Sequence, residues 1–231
     1  FDINSQILVN SLKKITPCID TNNPKQELNG ALISIEHDKI SFVATDTRRL
    51  SVININKESK DKLSLIIPKK AILEIQKLFF DEIEIYYDET YLIIQNENYY
   101  FYTKLINSKF PDFNRIIPKE INFSLDVQKS SMIEAIKQIT IISQEIKISV
   151  LRDKIKFESM SKDISEAQTE IPHQRSFDQD IIFGINSRYL LDFLSQINTN
   201  NFDILINQSN LPFVVQSENF KTIIMPISIN N

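Results

Sequence analysis

Glycine is nearly missing from this chain. Gly30 and Gly184 are the only two in 231 residues, too few to build either of the common phosphate-cradling loops, which argues against nucleotide hydrolysis. Tryptophan is absent and there is a single cysteine, Cys18, which excludes an intrachain disulfide and any cysteine-cluster metal site and fits a reducing compartment. No base stands near Cys18 in sequence, so it reads as a small core or helix-end residue and not as a nucleophile. Both histidines lack an acidic or thiol partner at ligand spacing. His37 falls in a predicted hairpin turn and His173 in a polar loop after Pro172, so both are expected as exposed turn residues, with no metal or cofactor. No serine is framed by glycines, and paired carboxylates such as Asp81-Glu82 occur only in charged loops, so no catalytic constellation is visible. Long apolar runs are missing too. Nothing approaches the roughly 18 residues of a membrane span, and the first residues show no charged-then-apolar leader, which predicts a soluble, cytoplasmic protein that does not meet a membrane.

What is present is globular. Hydrophobic residues make up 42% and charged residues 24%, and the length suits one large domain or two of ordinary size, with a full core either way. The chain starts on Phe1 within a strand-like FDIN, which suggests a piece of something longer. Its densest polar cluster is Ala44-Thr45-Asp46-Thr47-Arg48-Arg49-Leu50. An Asp beside two Arg suits a catalytic carboxylate held ionised, a ligand-gripping fork, or an ion pair tying a strand end to its neighbour.

Read in order, apolar spacing predicts helices over Ser5–Pro17, Pro68–Phe79, Lys129–Ile142 and Ser187–Ile197. Pro68 would open its helix where a missing N–H costs least. Alternating runs between them predict strands, with hairpins turning near His37-Asp38 and at Asp153. The order of elements then repeats. SLKKIT answers AIKQIT, HDKISF answers RDKIKF, and QNEN answers QSEN, at offsets of 124, 115 and 121 residues. We therefore expect an α+β tandem of two similar domains, residues 1–117 and 118–231, each with two helices packed on about eight antiparallel strands.

Charge is divided unevenly. The four helices carry Lys13, Lys14, Lys69, Lys70, Lys77, Lys129, Lys137 and Arg188 against Glu74, Glu134 and Asp192, a balance of +5 in a chain whose total is −4. Such a protein would present a basic helical face to a phosphate backbone while repelling nucleic acid elsewhere, or simply solvate its helices with lysine.

Motifs at the seams carry a resemblance. ATDTRRL, the interdomain KFPDFNRIIP, the closing IIMPI, the Leu28-Asn29-Gly30 turn and Asn186-Ser187-Arg188-Tyr189 resemble, in that order, motifs of the bacterial DNA polymerase III beta subunit, the replication sliding clamp. The family has three repeated domains, and this sequence looks like the second and third. The resemblance implies a processivity factor without its own active site. It forms a head-to-tail homodimeric ring around double-stranded DNA, contacted non-specifically by the eight helix bases above. It also implies a pocket between the two domains that holds short motifs of the DNA polymerase III alpha subunit, the clamp loader and other clamp-binding proteins. Carried over position by position, that pocket is Leu28, Thr45, Thr47, Arg48, Arg49, Leu50, Pro111, Arg115, Ile116, Asn186, Tyr189, Ile223, Ile224, Met225, Pro226 and Ile227. The chain departs from the pattern where Thr47-Arg48 replaces a frequent Gly-His, where Ser228 stands for a usual Arg, and where Asn230-Asn231 run past the usual end. Two other readings predict different behaviour: a stand-alone peptide-binding scaffold that forms no ring, and an enzyme handling a phosphorylated substrate through Asp46 with Arg48 and Arg49. Because the family's head-to-tail contact uses its first domain, the 231-residue chain is expected to be monomeric or weakly associated. Light scattering should give a monomer mass, and a stable dimer retained on closed circular DNA contradicts this.

Overall fold

The computed structural model describes residues 3–59, 62–160 and 166–229. The Phe1 start, Lys60 and Asp61 of a charged loop, and Asn230-Asn231 lie outside the described residues. The chain divides into two compact units, Phe1–Phe113 and Asn114–Asn231, so the division falls a few residues before the expected 117/118.

In the first unit, helix α1 (Ser5–Ile15) precedes strands β1 (Gly30–Glu36), β2 (Lys39–Thr45), β3 (Arg49–Asn56) and β4 (Leu63–Pro68), then α2 (Lys69–Leu78) and β5 (Glu84–Tyr87), β6 (Tyr91–Gln95) and β7 (Tyr100–Lys104). All pairings are antiparallel, in the orders β4-β1-β2-β3 and β5-β6-β7. The second unit runs β8 (Phe123–Gln128), α3 (Lys129–Thr140), β9 (Glu145–Val150), β10 (Lys154–Ser159), β11 (Gln168–Pro172), β12 (Ile181–Asn186), α4 (Ser187–Gln196), β13 (Asn201–Ile206), β14 (Phe213–Ser217) and β15 (Phe220–Ile224). Its sheets are β12-β9-β10-β11 and β8-β13-β14-β15. The first sheet of each unit therefore has the same order, its fourth strand beside its first, and each such fourth strand leads directly into a helix. Among the described residues the first unit shows seven strands, one fewer than the second, because nothing described precedes α1 as β8 precedes α3.

Helices form where apolar residues recur on one face and end where that stripe or the backbone fails. In α1 the buried residues Leu8, Leu12 and Ile15 share a face, and Asn4 caps the start by accepting from Gln6 N at 2.9 Å. Its α-helical part stops at Ile15, and a 3-10 turn, Thr16–Cys18, replaces the predicted last residues. Pro17 has no N–H to donate back to the Lys13 carbonyl, and Thr16 donates to the Leu12 carbonyl through both its backbone N–H and its Oγ1, the latter at 2.6 Å. Pro68 closes β4 and stands one residue before α2, not inside it, with ψ at 144°. Helices α2 and α3 have no side-chain N-cap. Instead the lysine opening each one reaches a carbonyl just beyond the end of its neighbour helix. Lys69 Nζ donates to Ile19 O at 2.7 Å, and Lys129 Nζ to Ile197 O at 2.6 Å. An ammonium at a helix N-terminus faces the wrong end of that dipole, but here it satisfies carbonyl groups at the negative end of the other.

Strands β1 and β2 are buried almost continuously, including Leu32, Ile33, Phe42 and Val43, which makes them two-faced core strands with no polar alternation. Other strands alternate, as in β13, where Phe202, Ile204 and Ile206 are buried. Each large apolar side chain removed from water stabilises by about 1.5–3 kcal/mol, so these two cores supply most of the folding free energy. Cys18 is buried as expected, its Sγ 2.9 Å from Ser51 Oγ. No described helix is long and apolar enough to cross a membrane.

Gly30 begins β1 where β4 passes close. A Cβ placed on it would stand 2.5 Å from the Ile67 carbonyl oxygen and 2.9 Å from Ile106 Cδ1. The Ile67 carbonyl belongs to the ladder and cannot yield cheaply, so Gly30→Ala should destabilise by about 1–3 kcal/mol, read as a lower urea midpoint at unchanged slope.

Candidate functional site

Thr45 to Leu50 form the hairpin end between β2 and β3, with Thr45 and Leu50 as the last ladder pair. Asp46 organises the turn. Its Oδ1 accepts from the backbone N of Arg48 at 3.0 Å and of Arg49 at 2.9 Å, and its Oδ2 accepts from Arg49 Nε at 2.9 Å. Arg49 is turned inward, its side chain 5% exposed, and its Nη2 donates to Pro17 O at 2.6 Å. Thr45 Oγ1 completes the mesh by donating to Arg49 O at 2.7 Å and accepting from Thr47 N at 3.2 Å. A carboxylate engaged by three donors and an arginine shielded from solvent make a structural ion pair, the third of the readings open from sequence. Arg49, carried over above as a member of the predicted pocket, therefore faces the interior of its unit and not solvent. Arg48, by contrast, is exposed.

Thr47 has φ of +75°, the left-handed region that disfavours a β-branched residue. It is the first central residue of a two-residue turn, and the following Arg48 does not share its positive φ. That is the II′ pattern, whose first central position prefers glycine. The departure seen in sequence at Thr47 is thus a departure toward strain.

Other residues of the predicted pocket separate by burial. Leu28, Leu50, Ile223 and Ile224 are 2% exposed or less and belong to the cores of their own units. Pro111, Arg115 and Ile116 are exposed. In the second unit the chain leaves β15 with Met225, 38% exposed, and Ile227 N then donates to Gly184 O at 2.8 Å. That bond draws the closing Pro226-Ile227 against β12, two residues before Asn186, whose Oδ1 caps α4 by accepting from Arg188 N at 3.0 Å. Tyr189, half-buried, follows on the first turn of α4. Pro226, Ile227, Ile182 and Ser209 line a shallow groove of about 330 Å³, and Pro111 lines another of about 720 Å³ in the first unit with Leu32, Ser64 and Phe110.

The helix bases separate as well. Lys13, Lys70, Lys77, Lys137 and Arg188 are exposed and Lys14 half-buried. Lys77 also meets Glu74 at 2.9 Å, while the ammonium groups of Lys69 and Lys129 are committed to the carbonyl ties described above. His37 is exposed, but His173 is half-buried and its pKa is pushed below 6.5 by that burial. No group of three or more metal-ligating side chains occurs among the described residues. Sequence reasoning missed the Pro17 carbonyl. The Thr16-Pro17 helix stop was legible, but which side chain would meet its carbonyl depends on how α1 lies against the hairpin.

Two copies of one α+β unit, each with two helices packed on antiparallel sheets, define a tandem clamp-type protein. Two domain models of the DNA polymerase III beta subunit match it, the central domain over residues 2–112 and the C-terminal domain over 114–228, and the chain belongs to that family. Among curated relatives, the beta sliding clamp of Helicobacter pylori strain J99 is 33% identical over 99% of this chain and 66% of its own length, and that of Mycoplasma capricolum is 22% identical over 100% and 65%. The chain thus spans just under two thirds of the curated relatives it matches. A crystal structure of the Helicobacter pylori beta clamp bound to a DNA ligase peptide superposes with a TM-score of 0.91 at 32% identity, over 98% of this chain and 64% of that one. The Pseudomonas aeruginosa sliding clamp shares the fold, with a TM-score of 0.94 at 23% identity over 99% of this chain and 66% of that one.

Left-handed backbone costs a residue with a Cβ about 1–2 kcal/mol, of which glycine's greater unfolded-state freedom returns about half. Thr47→Gly should therefore stabilise by about 0.5–1 kcal/mol, measured as a raised urea midpoint, and Thr47→Val should not.

Proposed function

We propose that this chain acts in DNA replication as the central and C-terminal domains of a sliding clamp, a processivity factor that tethers replication and repair proteins and breaks no bond of its own. The observation that carries this is the likeness at 32% identity to a clamp solved with a DNA ligase peptide bound. In the assembled ring the partners would be encircled double-stranded DNA, the DNA polymerase III alpha subunit, the clamp loader and other proteins with a clamp-binding motif, all in the cytoplasm.

Peptide contact falls to those members of the predicted set that reach solvent. Met225, Pro226, Ile227 and Tyr189 would take the peptide's leucine and aromatic anchors. Pro111 in the first unit and Ile116 in the second would add apolar contacts, while Arg48, Arg115 and Asn186 would meet polar groups. Leu28, Thr45 and Leu50 are buried in the first unit and Ile223 and Ile224 in the second, where they pack in the cores. DNA contact falls to Lys13, Lys70, Lys77, Lys137 and Arg188, whose exposed charges suit loose, salt-sensitive engagement of phosphates without sequence reading. The phosphate-handling alternative loses its support, since Asp46 and Arg49 spend their charges on each other and on the turn.

A few anchors dominate such interfaces, and a flexible, one-third exposed methionine is a natural one. Met225→Ala should weaken binding of a glutamine- and leucine-bearing clamp-binding peptide by about 1–3 kcal/mol in calorimetry. Unchanged affinity removes the pocket from this place.

A further inference from the structure

Six of the seven tyrosines, Tyr86, Tyr87, Tyr91, Tyr99, Tyr100 and Tyr102, crowd into residues 86–102. The surrounding stretch 80–103 carries six carboxylates, Asp81, Glu82, Glu84, Asp88, Glu89 and Glu97, and no lysine or arginine. The β5-β6-β7 register sorts these residues into faces. Ile85, Ile94 and Phe101 form one inward row and Tyr87, Leu92 and Thr103 the next. The outward rows are Glu84, Gln95 and Tyr100, then Tyr86, Ile93 and Tyr102, then Tyr91 beside Lys104. Tyr100 and Tyr102 are each 65% exposed and Tyr86 51%. Contiguous aromatic surface of this kind is unusual on a face with no partner. At the β5 end of the sheet Asp81, Glu82, Glu84 and Glu97 line a shallow groove of about 540 Å³. Glu84 also holds the outer face in order, accepting from Gln95 Nε2 at 2.6 Å and Tyr86 Oη at 3.2 Å, and its charge raises the Tyr86 phenol above its usual 10.0.

We propose that this outer face docks an arginine-rich, extended segment of a partner protein. Charge complementarity selects that occupant. Glu84 on the face and Asp81, Glu82 and Glu97 around the groove beside it repel a phosphate backbone and attract a cationic peptide, and among cations the planar guanidinium both stacks on a tyrosine ring and forks onto a carboxylate. Tyrosine suits the task because its ring stacks while its hydroxyl remains wet. The face shares no residue with the clamp-peptide site or with the basic helices.

The test is calorimetry of the chain with synthetic peptides of alternating arginine and serine, alternating lysine and serine, and alternating glutamate and serine. The arginine peptide should bind, the lysine peptide several-fold more weakly, and the glutamate peptide not at all. The double variant Tyr100→Ser, Tyr102→Ser changes two solvent-facing side chains and should keep the parental urea midpoint while weakening the arginine peptide about tenfold. Glu84→Gln with Glu97→Gln should weaken it too and reduce its salt dependence. Both double variants should bind a clamp-binding peptide as the parent does. Three results overturn the proposal: equal binding of arginine and lysine peptides whatever the tyrosines, parental affinity in the tyrosine variant, or a parental dimer in sedimentation that the tyrosine substitutions abolish, which would make a second copy the occupant.

Discussion

Every feature of this protein rests on an apolar helix stripe pressed against antiparallel strands, an arrangement made twice in one chain. Leu8, Leu12 and Ile15 of α1 do this in the first unit, and Met132, Ile136 and Ile139 of α3 in the second. Burial leaves the polar ends of the helices to be satisfied, and the lysines that open α2 and α3 meet that need by binding carbonyls beyond the neighbouring helix ends. Two of the eight helix bases are thereby spent on the fold itself, so a positive charge counted in sequence is not automatically one available to a ligand.

The β2-β3 hairpin shows how that scaffold fixes the direction of its charged side chains. A buried arginine in water-poor surroundings requires partners on every side, and Asp46 and the Pro17 carbonyl provide them. Fixing Arg49 inward fixes the turn, and the turn delivers Arg48 outward. The strain at Thr47 is a local cost carried by this network, as is common where a turn has been shaped for something other than stability. In the second unit the equivalent economy is a single backbone bond, Ile227 N to Gly184 O. It holds the closing segment against the start of α4 while Met225 stays accessible. Gly184 permits that approach because a side chain there would meet the Ile227 carbonyl at 2.8 Å.

The repeat was legible from three short matches, and the element order it implied holds in both units. Helix positions were legible to within a few residues, because a period near 3.6 survives any tertiary context. Their ends were less so. Ser5–Ile15 stops short of the predicted Pro17 because proline and the Thr16 hydroxyl end the ladder there, and Pro68 stands before α2 because its extended backbone still belongs to β4. Among the candidate site residues, burial separates two populations that the sequence mixes. Leu50 and Ile224 look no different from Ile116 and Met225 as letters, yet the first pair is core and the second is exposed.

Composition and pattern, then, determined what this protein lacks and how its chain is partitioned. Two glycines and one cysteine leave no means of building a common glycine-rich phosphate loop, an intrachain disulfide or a cysteine-cluster metal site, since each requires particular residues in the chain. Alternation and helical spacing dictate the α+β class, since they record which faces must leave water. The cluster at Thr45 to Leu50 was different: its letters suited a reactive site, a ligand fork or, most often for such clusters, a plain ion pair. Only the tertiary structure decided among them. The direction an arginine points depends on which carbonyl and which core it meets, and for Arg49 those are Pro17 and the inside of the first unit, both brought there by long-range packing.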